Sequence, residues 1–303
     1  MQIYQKWRYF KPSIPYKITR LLGQTAFLSN TIRGRRQGCP SSPLLFAIAI
    51  EPLAIAICSD TSIAGIKFGT SEHKLSLYAD DLLLYISDPY TSVPPLLKCL
   101  KEYSAVSGYK LNYTKSEILP LNIQDNNIRA LTDPLKWCNS GFKYLGIQIG
   151  KPDGHIFKQN YIKLLEQTKC NLQRWMDLPL SLIGRINTIK MNILPKFTYL
   201  FQCLPINVAK SFFKELNKII TPFIWQKKNP RVKLISLQAP YSKGGINLPN
   251  FRNYYLASQY RSIWIWLQAE NSEVRWVPIE QHEMNPTLST LSQKGRLILY
   301  WSN

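Results

Sequence analysis

Hydrophobic and polar positions change their rhythm along the chain. Residues 1–32 mix basic and aromatic side chains without a clear period, and no element is predicted there. Residues 33–43, rich in Gly, Pro and Ser, read as a loop. They feed an apolar, Ala-rich run from Leu44 to Ile57, which reads as a helix that Pro52 should kink or interrupt. Residues 75–87 are two short apolar runs on either side of Ala79, Asp80 and Asp81, the pattern of a β-hairpin with two carboxylates at or near its turn. Residues 93–107 read as helix, with Gly108 as its stop. Residues 142–149 read as a strand, in which Gly146 suggests a bend or a close backbone approach.

From residue 158 the period lengthens to that of an amphipathic helix. Tyr161, Leu164, Leu165, Thr168, Leu172 and Trp175 share one face. A second helix is expected over 210–225, with Phe212, Phe213, Leu216, Ile219, Ile220 and Phe223 on its apolar side. Lys210, Lys214 and Lys218 recur every four residues on its other side. They form either a stripe that tracks a phosphate backbone or a solvated face. Tyr254, Tyr255, Tyr260, Trp264 and Trp266 read as the core side of a further helix rather than a stacking platform.

Composition narrows the classes. With 303 residues, 45% hydrophobic and 18% charged, the chain is globular rather than disordered. The net charge of +20 calls for a polyanionic partner, most often nucleic acid. That charge is uneven: +8 over residues 1–40, −2 over 41–140, +12 over 141–233 and +2 over 234–303. A near-neutral block beside a basic one suggests that one part does chemistry while another grips phosphates. Six cysteines without a CxxC pair, and three scattered histidines, argue against a structural zinc site and for reduced thiols. The polar, basic start is not a signal peptide, and Glu51 and Pro52 break the longest apolar run, so no membrane-spanning segment is expected. Localisation is expected to be intracellular, in the nucleus or cytoplasm.

Asp80 and Asp81 carry the sharpest chemistry. Two adjacent carboxylates among apolar strands are costly unless a cation or hydrogen bonds satisfy them. Magnesium suits such a pair, because it takes one or two carboxylates and fills its octahedron with water and substrate phosphates. A bare Asp-Asp pair on a solvated turn is the plain alternative.

Four segments then resemble, in order and spacing, the motifs of reverse transcriptases. They are RQGCPSSPLLF (36–46), YADD (78–81), GYKLNYTKSE (108–117) and FKYLGIQI (142–149). The alanine in YADD and the form of the first segment resemble the LINE-type (non-LTR) retrotransposon branch. RWMDLPLSLIGRINTIKMNILPKFTYLFQCLP (174–205) and PYSKGGINLPNFRNYYLASQ (240–259) are similar to the LINE-type thumb and the segment after it.

The resemblance implies an α+β fold. It would be a partial right-hand polymerase palm, an antiparallel hairpin with helices, followed by a mainly α-helical thumb. The implied domains are a poorly matching remnant at 1–32, palm at 33–150, thumb at 151–240 and the start of a further segment at 241–303. It implies an RNA-directed DNA polymerase that adds dNTPs to a DNA primer on an RNA template with two Mg2+ ions. Asp80 would be a direct metal ligand and Asp81 would support the site. Lys115 would sit near the leaving pyrophosphate, with Lys110 as its competitor. Arg36, Gln37 and Gly38 would lie against template and nucleotide. Phe142, Tyr144, Leu145 and Gly146 would form the primer grip, although Phe142 and Leu145 read equally as core.

The family also needs an aspartate upstream of the first motif, and the first acidic residue here is Glu51. Arg35 stands where a small residue is usual. The expectation is therefore a chain that lacks the first catalytic Asp and the fingers and is inactive alone. A non-catalytic basic nucleic-acid-binding remnant is the alternative. A palm sheet lacking its central strand would also expose edges and favour aggregation.

Overall fold

The structure is a computed structural model that describes residues 17–24, 41–68, 71–121, 126–150, 155–204 and 206–267. These fall into two compact units, divided between Asp153 and Gly154.

The first unit is built on a six-stranded sheet. Its strands are β1 (Lys17–Gln24), β4 (Leu75–Tyr78), β5 (Asp81–Ile86), β6 (Lys110–Leu111), β7 (Glu117–Pro120) and β8 (Lys136–Trp137). The order is β4-β5-β1-β7-β8, with β6 paired to the end of β1. All pairs are antiparallel except β7 with β8. The central strand expected to be missing is thus present: β1 lies between β5 and β7, so neither of them is an edge. Two small hairpins complete the strands, β2 (Ile66–Phe68) with β3 (Ser71–His73), and β9 (Phe142–Tyr144) with β10 (Ile147–Ile149).

Three helices, α1 (Ser42–Ser59), α2 (Pro89–Ser107) and the short α3 (Asn126–Leu131), join this unit. Ile50, Leu53 and Ile57 of α1 and Val93, Leu96 and Leu100 of α2 pack with Leu82, Leu84 and Ile86 of β5. Leu75 and Leu77 of β4 lean on the same cluster. This is period two on the strands meeting period 3.6 on the helices. α2 starts where the Asp88 carboxylate accepts from the Tyr90 N–H (3.1 Å) and the Thr91 hydroxyl (2.9 Å). It stops at Gly108, whose φ of 71° gives the left-handed cap.

α1 runs through Pro52 without interruption. Pro52 is on the solvent side, between Ile50 and Leu53, whose burial holds the helix on both flanks. Its missing N–H forfeits one hydrogen bond. By length and composition α1, with a mean hydropathy of 1.9, could cross a membrane, yet one of its faces is built into the sheet's core. Leu44, Ile48 and Ile55 remain exposed on the outer face, beside Glu51.

The second unit is helical. α4 (His155–Phe157) continues through a π-helical turn, Lys158–Ile162, into α5 (Lys163–Arg174). α6 (Leu182–Thr188) continues through a second π turn, Ile189–Ile193, into α7 (Leu194–Cys203). Pro195 explains the second turn: it has no N–H for the Met191 carbonyl, and the Leu194 N–H reaches back five residues to Ile189. α8 (Lys210–Ile224), α9 (Leu234–Gln238) and α10 (Phe251–Leu267) follow.

The core of this unit is aromatic. Tyr161, Phe197, Phe201, Phe212, Phe213, Phe251 and Tyr255 pack with neighbouring ring centroids 5.4–6.2 Å apart, mostly edge to face or tilted. Of the aromatics expected as core in α10 whose side chains are described, Tyr255 alone is buried. Tyr254, Tyr260 and Trp264 are exposed, and the side chain of Trp266 lies outside the described residues.

Arg185 of α6 is the least expected member of this core. It is 1% exposed and donates to backbone carbonyls. Its Nε donates to Leu180 O (3.2 Å), one terminal nitrogen donates to Phe223 O (3.1 Å), and the other donates to Met176 O and Leu178 O (both 3.1 Å). The guanidinium also lies 5.0 Å from the centroid of the Phe223 ring. The partners follow the C-terminus of α5 and close the C-terminus of α8, where the helix dipoles are negative. Arg185→Leu removes four donated hydrogen bonds, one to a buried carbonyl and three to partly buried ones. It is expected to destabilise this unit by about 3 kcal/mol or more, read as a lowered midpoint in urea denaturation of the full chain.

Candidate active site

The position of the carboxylates follows from the burial of β5. Leu82, Leu83, Leu84, Tyr85 and Ile86 are all at most 2% exposed, so both faces of the strand are covered. Each apolar side chain gains about 1.5–3 kcal/mol from that burial, whereas an unpaired carboxylate in the same place would cost several kcal/mol. Only the strand's first residue, half-buried Asp81, and the turn beyond it can hold charge. Tyr78 pairs with Asp81 across β4 and β5, so the loop is two residues, Ala79 and Asp80. Ala79 takes a φ of 50°, a left-handed conformation that strains a residue with a Cβ. Tyr78, Ala79 and Asp80 are exposed. The hairpin with carboxylates at its tip is therefore as expected.

The sheet register identifies what else lies at this end. Leu22 of β1 pairs with Asp81, and its successors Gly23 and Gln24 pair with Leu111 and Lys110 of β6. On the other side of β1, Arg20 pairs with Glu117 at the start of β7, so the turn before β7 points to the same end. That turn holds Lys115. Its N–H donates to the carbonyl and Oδ1 of Asn112 (both 3.2 Å), while the Thr114 hydroxyl donates to the same Oδ1 (2.7 Å). Asp80, Asp81, Lys110 and Lys115 are thus gathered at one end of the sheet. Both lysines are exposed.

Tyr109 was not singled out by sequence reasoning. It is buried, with its ring 5.7 Å from that of Tyr103. Burial pushes its phenol up to about 12, and the charges of Asp80, Tyr103 and Asp81 add to the shift. The carboxylate pair therefore acts electrostatically on a buried phenol beside Lys110. Tyr109 and Lys110 also line an open cleft of about 590 Å3 against α2 and the segment around Asp133. The only sequence signal for Tyr109 is its place in the same stretch as the two lysines.

The segment 142–149 is a tight hairpin and not one strand. Leu145 and Gly146 form its turn, at φ of 45° and 85°. Positive φ at both turn residues is the demand of the two-residue hairpin loop, and Gly146 meets it without strain. Phe142 and Tyr144 are buried, Leu145 is half-buried and Gly146 is exposed at the tip. Any contact with a strand of nucleic acid would come from the tip rather than from the two aromatic rings. Arg36, Gln37 and Gly38 lie outside the described residues. Lys210, Lys214 and Lys218 are exposed along α8 in the other unit.

The donors present suit a magnesium ion, which takes one or two carboxylates with water and substrate oxygens. Among the described residues no group of three His, Cys, Asp or Glu side chains could hold a metal ion. The position on β1 opposite Asp81 is Leu22.

If the Asp80 and Asp81 charges help to hold the Tyr109 phenol up, Asp80→Asn combined with Asp81→Asn should let it titrate lower than in the parent. Ultraviolet titration, with Tyr109→Phe identifying the signal, checks this. Because the folded value exceeds the unfolded one, the related contribution to stability is complete below pH about 10 and is lost as pH rises toward 12.

Comparison with known proteins adds a family. Residues 2–149 match the family model described as reverse transcriptase (RNA-dependent DNA polymerase). The chain is 26% identical over 243 residues to the transposon TX1 uncharacterized 149 kDa protein of Xenopus laevis, covering 79% of this chain and 18% of that protein. It is 24% identical over 266 residues to the retrovirus-related Pol polyprotein from type-2 retrotransposable element R2DM of Drosophila melanogaster, covering 83% and 23%. It is 28% identical over 190 residues to the retrovirus-related Pol polyprotein from type-1 retrotransposable element R2 of Popillia japonica, covering 56% and 24%. The chain spans less than a quarter of the length of these relatives. The family match begins at residue 2, ahead of residue 33, where the motif resemblance begins.

Proposed function

From the match of residues 2–149 to the reverse transcriptase family and the likeness to transposon and retrotransposon proteins, we propose that the chain belongs to the LINE-type (non-LTR) branch and that its carboxylate hairpin is the catalytic centre of template-directed DNA synthesis. The reaction is nucleotidyl transfer. A primer 3′ oxygen forms a bond to the α-phosphorus of a dNTP, the bond to pyrophosphate breaks, and the primer hydroxyl gives up its proton. Asp80 and Asp81 would hold Mg2+, which lowers the cost of charge on the attacking and leaving oxygens.

The remaining roles belong to the chain's own residues. Lys115, with Lys110 as its competitor, places a cation beside the departing pyrophosphate. The Leu145-Gly146 tip, between Phe142 and Tyr144, bears on the primer backbone. Arg36, Gln37 and Gly38 lie against template and nucleotide. Lys210, Lys214 and Lys218 contact phosphates of the RNA template and DNA primer. These partners put the work inside the cell, in nucleus or cytoplasm.

One observation supports this reading above the others: the two carboxylates lie at the exposed tip of an otherwise apolar hairpin, with both lysines at the same sheet end. The same geometry argues that this chain alone does not polymerise. Residues 1–50 contain no acidic side chain, and the strand beside the hairpin offers Leu22 opposite Asp81. A group that works as part of a unit loses orders of magnitude in rate when one member is absent. The +12 balance over residues 141–233 favours a second reading, a non-catalytic nucleic-acid-binding role.

Primer extension on an RNA template with magnesium tests the inactivity of this chain, and hybrid binding across a range of salt tests the second reading. The full chain is expected to incorporate no more dNTP than its Asp80→Ala variant. It is also expected to bind an RNA–DNA hybrid with affinity that falls steeply with salt. Synthesis above the Asp80→Ala background would overturn the predicted inactivity, and salt-independent binding would sink the second reading.

A further inference from the structure

The lysine stripe of α8 is not uniform. Lys210, Lys214 and Asn217 border a cavity of about 280 Å3, closed by Gln238 of α9 and by Asn250 and Arg252 at the start of α10. Lys218, the third member of the stripe, does not line it. Phe213 and Phe251 form an apolar back wall, and both are buried. No acidic residue lines the cavity, so three cationic side chains face it without a carboxylate among them. The amides are partly committed. The Asn250 side-chain amide donates to Gln238 Oε1 (3.2 Å), and Asn250 Oδ1 accepts from the Asn253 N–H (3.2 Å). The amide donors of Gln238 and Asn217 have no role in those two bonds.

We propose that this cleft is a seat for one backbone phosphate of a bound nucleic-acid strand, with Lys210, Lys214 and Arg252 as its cations and Asn217 and Gln238 as neutral donors. This rests on the nucleic-acid-binding reading above and adds to it a residue, Arg252, that the stripe does not contain. Size decides the ligand: the cavity is smaller than pockets that enclose a drug-sized molecule, so it admits a phosphate and leaves base and sugar outside. Such a contact positions the strand and carries no sequence information. Arginine adds a planar fork that suits a phosphate oxygen pair, which a lysine stripe alone lacks.

The test is fluorescence anisotropy of a labelled RNA–DNA hybrid with the full chain, titrated across a range of salt. Lys210→Ala, Lys214→Ala and Arg252→Ala, all at exposed positions, should each reduce the slope of log affinity against log salt by about 1. Lys98→Ala, exposed on α2 beside Glu102, should leave it unchanged. Asn217→Asp keeps every cation, places a carboxylate in the cleft, and should weaken binding on its own. An unaffected Arg252→Ala would overturn the cleft in favour of a diffuse stripe, as would an unaffected Asn217→Asp. A parent chain that fails to bind the hybrid at all would instead bring down the underlying reading.

Discussion

Everything in the first unit is arranged around a strand with no solvent-facing side. β5 is covered on both faces from Leu82 to Ile86, and β4 and β1 flank it. A strand in that position cannot carry charge along its length. Its carboxylate must therefore sit at its end, and the adjacent turn takes the second one. The same constraint fixes the helices, since α1 and α2 must supply the apolar surface that Leu82, Leu84 and Ile86 require. Carboxylates at the tip and packing along the shaft are two outcomes of one requirement.

β1 makes that arrangement possible. Without it β5 and β7 would each present a row of unpaired backbone groups to solvent. With it, both strands are paired on the β1 side, and the register carries β6 and the turn before β7 to the carboxylate end. The strand thus completes the scaffold while presenting Leu22 opposite Asp81.

How much of this was legible in the sequence varies with the range of the interactions. The carboxylate hairpin could be read because alternation and turn chemistry are local. The helices at Pro89–Ser107 and Lys210–Ile224 could be read because their apolar periods and the Gly108 stop are local too. Pro52 leaves α1 uninterrupted because a single lost hydrogen bond is outweighed by the buried neighbours on either side. The central strand was missed because Lys17–Gln24 has little alternation of its own and is specified by partners 60 to 100 residues away. The aromatics of α10 misled because ring size was read as burial, whereas Tyr254, Tyr260 and Trp264 lie on the exposed side of that helix. Arg185 resembles any basic residue on a helix until the carbonyls around it are seen. The roles of Arg36, Gln37 and Gly38 are implied by the family resemblance alone.

Those carbonyls tie together parts of the helical unit that are distant in sequence. The ends of helices usually fray first, and local opening of a protein often begins there. In this unit the final turn of α8 and the segment after α5 share a single cation. Opening either one leaves Arg185 short of acceptors in an apolar surrounding. Fraying is therefore converted from a local event into a cooperative one, and the weak points of the unit shift from its helix ends to the loops that Arg185 does not touch.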